Sequence, residues 1–395
     1  MPPPLDGIRV LDLSRLLPGP YCAMLLADYG ADVVKVEDVG AGDLVRLMPP
    51  FVGEGTDARS ALFLAVNRGK RSLAVDLKDG RGKEVFRRLA ARADVVLEGF
   101  RPGVMERLGL GYEGLRAANP RLVYCALTGY GRDGPWRDRA GHDLNYLAQA
   151  GVLAITGEAG RPPVPPGVQV ADLTGGLLAF AGILLALVAR GRTGEGQLVD
   201  VSMLDGALSL LSIHAGAALA GEPPRRGRFP LSGGRPFYAV YETADGKHLA
   251  LGAVEPKFYE AFCRTIGRDD LTGAQLAEGD EADRARAEIA AIVRGRTLAE
   301  WSARFEGVEA CVTPVLEVED ALDTEQAIAR GLRRALPHPA LGLIPQVGPP
   351  VKLSATPAEL GKPPPDLGEH TDAVLREAGY DDGAVFELRA SGVIR

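Results

Sequence analysis

The sequence predicts an α/β protein in which a large, doubly wound parallel sheet of Rossmann-like form is joined to a smaller α+β domain. Two patterns lead to this expectation. Between Ile8 and Leu127, short β-branched apolar runs alternate with amphipathic helical stretches, the pattern of parallel strands joined by crossover helices. Beyond Gly221 two neighbouring strand-like runs flank an Ala244-Asp245-Gly246 turn and are followed by polar helices, the pattern of a hairpin-bearing second domain. At 395 residues, 46% of them hydrophobic, the chain can bury two cores rather than one.

The elements follow in order. Residues 8–13 read as a buried strand, and Pro18-Gly19-Pro20 opens a helix that runs to Asp28 and stops at Gly30. Ala31–Glu37 is the next strand, then Ser72–Asp76, a charged helix from Asp79 to Ala93, a strand at Asp94–Glu98, a helix near Val104–Leu108 and a strand at Leu122–Leu127. A long apolar helix begins near Asp172, which the pattern makes its cap. Gln197–Val201 is a strand and Asp205–Leu219 a further apolar helix. Gly221–Arg235, rich in Gly, Pro and Arg, reads as linker. Tyr238–Glu242 and His248–Gly252 form the hairpin, residues 256–305 are helical, the Pro-rich 336–365 wanders back, and Thr371–Ala378 closes the chain. The resulting division is a large domain over 1–204, a linker over 205–235, a small domain over 236–325 and a return segment over 326–395.

Composition narrows the partners. A net charge of −7 argues against nucleic acid or an anionic membrane surface, since both select a basic field. Cys22, Cys125, Cys263 and Cys311 lack CxxC spacing and sit in apolar contexts, which predicts reduced core thiols and no metal site. Met1-Pro2-Pro3-Pro4 lacks the basic and apolar regions of a signal peptide, so a cytoplasmic location is expected. The apolar run Gly175–Ala189 falls short of the ~20 residues of a bilayer span and reads as a buried helix.

Some motifs mislead. Gly109-Leu110-Gly111-Tyr112-Glu113-Gly114 matches GxGxxG, but a helix precedes it where a dinucleotide site requires a strand. Serine-hydrolase, zincin and P-loop signatures do not occur. Three other stretches carry chemistry. His142 lies in a turn before an apolar helix, Asp172 stands at the head of the long helix with Gly175 and Gly176 behind it, and Glu255 precedes Pro256 at a strand-to-helix junction. Each has an ordinary structural account, as a satisfied turn histidine, a helix cap and a surface acid. Together, an imidazole and a carboxylate are what moving a proton on and off carbon requires, and a helix N-terminus with open glycine N–H groups could hold an oxyanion. Arg68, Lys70, Arg71, Lys78, Arg101 and Arg107 gather near the ends of the early strands, where a parallel sheet docks phosphorylated ligands.

Several motifs resemble those of a known family. Asp6-Gly7-Ile8-Arg9-Val10-Leu11-Asp12, the run from Gly30 to Glu37, Asn67-Arg68-Gly69-Lys70-Arg71-Ser72, Asp76-Leu77-Lys78, Phe100-Arg101-Pro102-Gly103 and the closing Leu367-Gly368-Glu369-His370-Thr371 are similar to class III coenzyme A transferases and their racemase relatives, the CaiB/BaiF superfamily. Gly141-His142-Asp143-Leu144-Asn145-Tyr146 and Val254-Glu255-Pro256 resemble the α-methylacyl-CoA racemase branch. The resemblance implies that His142 and Asp172 flank the substrate α-carbon and that Glu255 orients His142. It also implies that the coenzyme A portion of the substrate contacts Val75, Asp76, Leu77, Lys78, Gly99, Phe100, Arg101, Arg107, Gly141, Asp143, Leu144, Asn145 and Tyr146. No separate cofactor is implied. An interlocked homodimer is, with the linker crossing between subunits. Two departures stand out: Asp38 replaces an arginine that relatives often carry, leaving Arg46 as the candidate substitute, and the Gly40–Asn67 stretch is longer than in compact racemases, as in the transferases.

Three functions follow as expectations. The first is a racemase that inverts 2-methyl-branched acyl-CoA thioesters by two-base proton transfer through an enolate. The second is a transferase in which Asp172 attacks a thioester and passes CoA to a free acid. The third is a non-catalytic acyl-CoA-binding protein.

Overall fold

Six parallel strands make the principal sheet: β1 (Arg9–Asp12), β2 (Asp32–Glu37), β5 (Lys70–Ala74), β6 (Val95–Glu98), β7 (Val123–Thr128) and β8 (Leu198–Ser202), in the order β5-β2-β1-β6-β7-β8. The order reverses between β1 and β6, which pair from Val10 with Val95 to Asp12 with Leu97. Two connections therefore leave in opposite directions at the carboxyl ends of β1 and β6, and the crevice between them is where ligands of such sheets bind.

Both faces are covered, so the middle strands are almost wholly buried, charged residues such as Asp12, Lys35 and Lys70 included. On one side α3 (Gly80–Ala90), α16 (Thr371–Glu377) and α17 (Asp382–Ala390) bury Val85, Phe86, Leu89, Val374, Leu375 and Leu388 over Leu11, Val34, Leu73 and Val96. On the other, α1 (Pro18–Asp28) packs against α8 (Val170–Thr193) so closely that a Cβ on Gly176 would stand 2.6 Å from the Pro18 carbonyl oxygen. Smaller pieces complete this unit: β3 (Phe51–Val52) paired with β4 (Arg59–Ser60), α2 (Ala61–Val66), α4 (Val104–Leu108), α5 (Tyr112–Ala118), α6 (Asp143–Ala150), α9 (Met203–Ser209), α15 (Glu325–Ala329) and the hairpin of β12 (Arg333–His338) with β13 (Gly342–Val347).

The computed structural model describes every residue from Met1 to Arg395 and separates into two compact units. The first is Met1–Ala150, Val168–Leu210 and Glu325–Arg395, and the second is Gly151–Gly167 with Leu211–Thr324. The second unit holds α7 (Val152–Ile155), α10 (Ser212–Leu219), the antiparallel sheet of β9 (Tyr238–Glu242), β10 (His248–Gly252) and β11 (Val312–Pro314), and the helices α11 (Pro256–Ile266), α12 (Gly279–Val293), α13 (Leu298–Phe305) and α14 (Val318–Leu322). Its core is Tyr259, Phe262, Ile289, Val293 and Trp301, with the Trp301 indole N–H donating to the Val293 carbonyl at 2.7 Å.

Several expectations change here. The first half of the 205–235 stretch holds α9 and α10, where a helix is expected, and residues 221–235 carry no α-helix or strand. The single helix foreseen over Asp205–Leu219 is two, broken between Ser209 and Ser212. The Pro-rich 336–365 region contains part of the β12–β13 hairpin, whose buried Leu336 and Ile344 pack with Leu64. The α8 helix spans 24 residues and is by length and composition long and apolar enough to cross a membrane. It nevertheless packs along α1, β7, β8 and α9 as part of the first unit. Cys22, Cys125 and Cys263 are buried free thiols, but Cys311 is exposed at a φ of 50°.

Candidate active site

The carboxyl ends of the strands shape two cavities in the first unit. The ends of β1, β2 and β5 line one, with Leu13, Arg15, Glu37, Val75, Asp76, Leu77, Lys78 and Phe100. The ends of β6, β7 and β8 line the other, with Gly99, Phe100, Arg101, Gly129, Gly141, His142, Asn145, Tyr146 and Met203. Phe100 borders both. Its position is held by Glu98, whose carboxylate accepts the Phe100 N–H at 2.7 Å. Burial pushes the Glu98 carboxyl up to about 7, against the pull of that N–H.

An aromatic ladder positions His142. Trp136 meets Tyr130 edge to face at 5.9 Å, Tyr130 meets Tyr146 at 5.1 Å, and the Tyr146 hydroxyl donates to the Gly141 carbonyl at 2.5 Å. Only glycine fits at 129 and 141, because a Cβ at either position would lie within 2.7 Å of the Tyr146 ring or hydroxyl. The next residue, His142, heads α6: its carbonyl accepts the N–H groups of Asn145 and Tyr146, while its own N–H donates to the Asn145 side chain at 3.0 Å. This arrangement makes Asn145 part of the local cap and leaves the His142 ring exposed beside the cavity.

Asp172 is not the cap of α8. Gln169 holds that position without a side-chain bond, and Asp172 lies in the first helical turn. The cap comes from a distant residue, since Asp143 Oδ1 accepts the N–H of Ala171 at 2.7 Å and of Asp172 at 3.1 Å. Asp143 therefore serves α8, and neither it nor Leu144 lines either of these two cavities. Burial lifts the Asp172 carboxyl to about 6; the Asp143 charge adds to the shift and the His142 charge opposes it. The same neighbourhood reaches Tyr146, which burial and then the Asp172 charge push up to about 12. The glycines after Asp172 have a different use from the one expected. Gly175 and Gly176 are buried against Met203 and Pro18, so they permit close helix packing, and their position inside the helix does not open their N–H groups to a ligand.

The basic cluster of the early strands also divides. Arg68 binds Asp28 through two nitrogens at 2.6 and 2.9 Å, Lys70 binds Asp12 at 3.0 Å, and Arg71 reaches Asp32 and Glu377, both at 2.7 Å. Arg68 and Lys70 are internal structural ions, and Arg71 is committed to partly exposed carboxylates. Arg46 is likewise committed to Glu37 at 2.8 Å and stacks over Phe63, so it does not stand in for the arginine missing at Asp38. Lys78 and Arg101 remain exposed at the cavities, while Arg107, also exposed, lines neither. Glu255 lies in the second unit as the N-cap residue of α11, exposed and without a side-chain capping bond. The preceding Ala253 and Val254 carbonyls accept from the buried Gln275 amide at 3.3 and 2.9 Å.

Sequence reasoning missed Arg15, Arg137 and Arg139. Arg15 stacks over Phe100 at 4.9 Å, and its position in the loop after β1, at the reversal of strand order, was the available signal. Arg137 and Arg139 line the cavity that holds His142 and come from the loop that leads to it.

Comparison with known proteins agrees with this architecture. The model of the family described as CoA-transferase family III matches residues 5–371. The chain is 42% identical over 401 residues to the α-methylacyl-CoA racemase of Mus musculus, covering 99% of this chain and 97% of that protein. It is 37% identical to the succinyl-CoA:glutarate CoA-transferase of the same organism, covering 99% and 90%. Among solved structures, a CAIB/BAIF family protein from Brucella suis superimposes with a TM-score of 0.84 at 32% identity, covering 96% of this chain and all of that one.

Proposed function

The chain belongs to CoA-transferase family III, and from that premise we propose that it inverts the α-carbon of 2-methyl-branched acyl-CoA thioesters. One side chain removes the α-proton, the electron pair of the broken C–H bond delocalises onto the thioester oxygen as an enolate, and a second side chain returns a proton to the opposite face. No electron is gained or lost, and coenzyme A enters only as part of the substrate.

What supports this reading is that His142 and Asp172 stand at the heads of α6 and α8, which the Asp143 carboxylate ties together through the Ala171 and Asp172 N–H groups, and that burial raises the Asp172 carboxyl to about 6. At that value the carboxyl is readily exchanged between its two forms near neutral pH. Each group can then serve as acid in one direction and base in the other. Glu255, supplied by a partner copy, is the carboxylate assigned to orient the imidazole. A homodimer accords with the exposed apolar side of α8, where Leu177, Leu178, Leu185 and Val188 stand open in a single chain. Light scattering that returns twice the chain mass supports that assembly, and a monomer across micromolar concentrations refutes it.

The deciding experiment is solvent exchange. With 2-methylacyl-CoA in deuterated water, the protein incorporates deuterium at the α-carbon, and Asp172→Ala and His142→Ala each abolish it. Absence of exchange across a panel of branched thioesters overturns the reading.

A second reading has support of its own. The longer Gly40–Asn67 segment, here built into β3, β4 and α2, and the similarity to a succinyl-CoA:glutarate CoA-transferase favour transfer through an acyl-Asp172 intermediate. In that case turnover requires an acceptor carboxylate, and hydroxylamine traps an adduct at residue 172.

A further inference from the structure

The backbone is gripped on both sides of Arg15. The carbonyl of Ser14, before it, accepts from the Lys35 ammonium at 2.9 Å, and the N–H of Leu16, after it, donates to the two Asp43 carboxylate oxygens at 3.1 and 3.2 Å. Lys35 and Asp43 are themselves an ion pair at 2.9 Å, and both side chains are fully buried. One buried pair thus holds the chain before and after a single exposed side chain. Asp12 adds a third hold by accepting the Ser14 N–H at 2.9 Å. These bonds have something to resist, because Leu16 has a φ of 66°, a left-handed conformation that residues with a Cβ rarely adopt. Burial disfavours the Lys35 charge, but Asp12 and Asp43 outweigh it and keep the ammonium pKa above its ordinary value.

From this geometry we infer that Lys35 and Asp43 are positioning residues, a backbone clamp that sets Arg15 as a ligand for the phosphates of coenzyme A. The inference rests on the acyl-CoA reading above and deepens it. The Arg15 guanidinium lines the cavity at the ends of β1, β2 and β5, stacks over Phe100 at 4.9 Å and pairs with no carboxylate, whereas Arg46 and Arg68 in the same unit are each neutralised by one. The acids that line this cavity are engaged elsewhere: Glu37 with Arg46, Asp43 with Lys35, and Asp38 and Asp76 with the N–H groups of Gly40 and Lys78. Filling the core under β1 does not call for a buried ion pair, since apolar side chains of similar volume fill such a space with no loss of stability. What they cannot supply is a donor for one peptide group and an acceptor for the next. Phe100 is fixed in turn by Glu98, so the clamped loop and the stacked ring leave Arg15 little freedom to lose on binding.

Calorimetric titration with free coenzyme A, run as a double-mutant cycle on the full chain, tests this. Arg15→Ala weakens binding about tenfold, and replacing the pair, Lys35→Met with Asp43→Leu, weakens it by the same factor. The three changes together weaken it no further. Additive losses overturn the inference, because the pair would then act on the ligand by another route, and so does unchanged affinity in the pair variant. Hydrogen exchange reads the clamp without any ligand: the Leu16 amide exchanges about tenfold faster in the pair variant than in the wild type, whereas Arg15→Ala leaves it slow. An unchanged Leu16 rate overturns the clamp. Should the pair variant fail to fold, Asp43→Asn carries the same cycle. Its amide oxygen keeps a neutral acceptor for Leu16, so the expected loss is smaller, about threefold, and is again absent when Arg15 is already alanine. A wild type that binds no coenzyme A refutes instead the acyl-CoA reading, and the Leu16 rate then still decides whether the pair holds the loop.

Discussion

Replacing Asp172 by asparagine should make the protein more stable while removing its activity. The carboxyl is raised from 3.8 to about 6, chiefly by burial, so its ionised form is disfavoured in the folded chain. A shift of roughly two units at about 1.36 kcal/mol each sets an upper bound near 3 kcal/mol. Partial solvent access to this half-buried group reduces that to about 1–2 kcal/mol. Asparagine also forfeits the attraction between a negative charge and the first turn of α8, about 0.3–1 kcal/mol. The expected net gain is about 1 kcal/mol at neutral pH. Its pH dependence has a definite sign. Below 3.8 both folded and unfolded chains carry the proton and the penalty vanishes. Between 3.8 and 6 the unfolded chain ionises first, the folded chain binds more protons, and wild-type stability falls as pH rises. Above 6 the penalty is constant. Urea unfolding of wild type and Asp172→Asn from pH 4.5 to 8 should therefore show a benefit about a third complete at pH 4.5 and full by pH 7.5. A variant less stable than wild type at pH 7.5, or a difference independent of pH, would refute the assignment of a burial-strained carboxyl.

Three further outcomes follow from the packing. Lys70→Met strands the buried Asp12 carboxylate, which then keeps only its bonds from Ser14, and should lower unfolding free energy by about 3 kcal/mol in urea. Gly176→Ala drives a Cβ to 2.6 Å from the Pro18 carbonyl oxygen, so α1 and α8 must separate, and thermal unfolding should show a loss of about 1–3 kcal/mol. Gln275→Leu leaves the Ala253 and Val254 carbonyls without their amide donor; a loss of about 1–3 kcal/mol is expected, with hydrogen exchange faster at the β10–α11 junction than in β1 and β6. Equal exchange changes in both places would count against a local role.

The legible part of this protein was its local periodicity. The strands at Arg9–Asp12, Asp32–Glu37 and Val95–Glu98, the helices at Pro18–Asp28 and Val104–Leu108, and the hairpin at residues 238–252 lie within a few residues of where the sequence predicts them. Less legible were pieces whose stability comes from distant partners, such as α17 and the β12–β13 hairpin, because short segments form through burial against other elements rather than by propensity.

By itself the sequence determined the strand-and-helix alternation, the placement of His142 before α6 and of Asp172 at the head of α8, and motifs specific enough to indicate the family. These depend on residues adjacent in the chain. Tertiary structure alone decided that Asp143 caps a helix 28 residues downstream, that Arg68 and Lys70 are spent on buried carboxylates and Arg71 on partly exposed ones instead of ligands, and that Arg15, Arg137 and Arg139 face the cavities. A side chain's charge is written in the sequence, but which opposite charge or N–H group it meets depends on how strands far apart in the chain are ordered in the sheet.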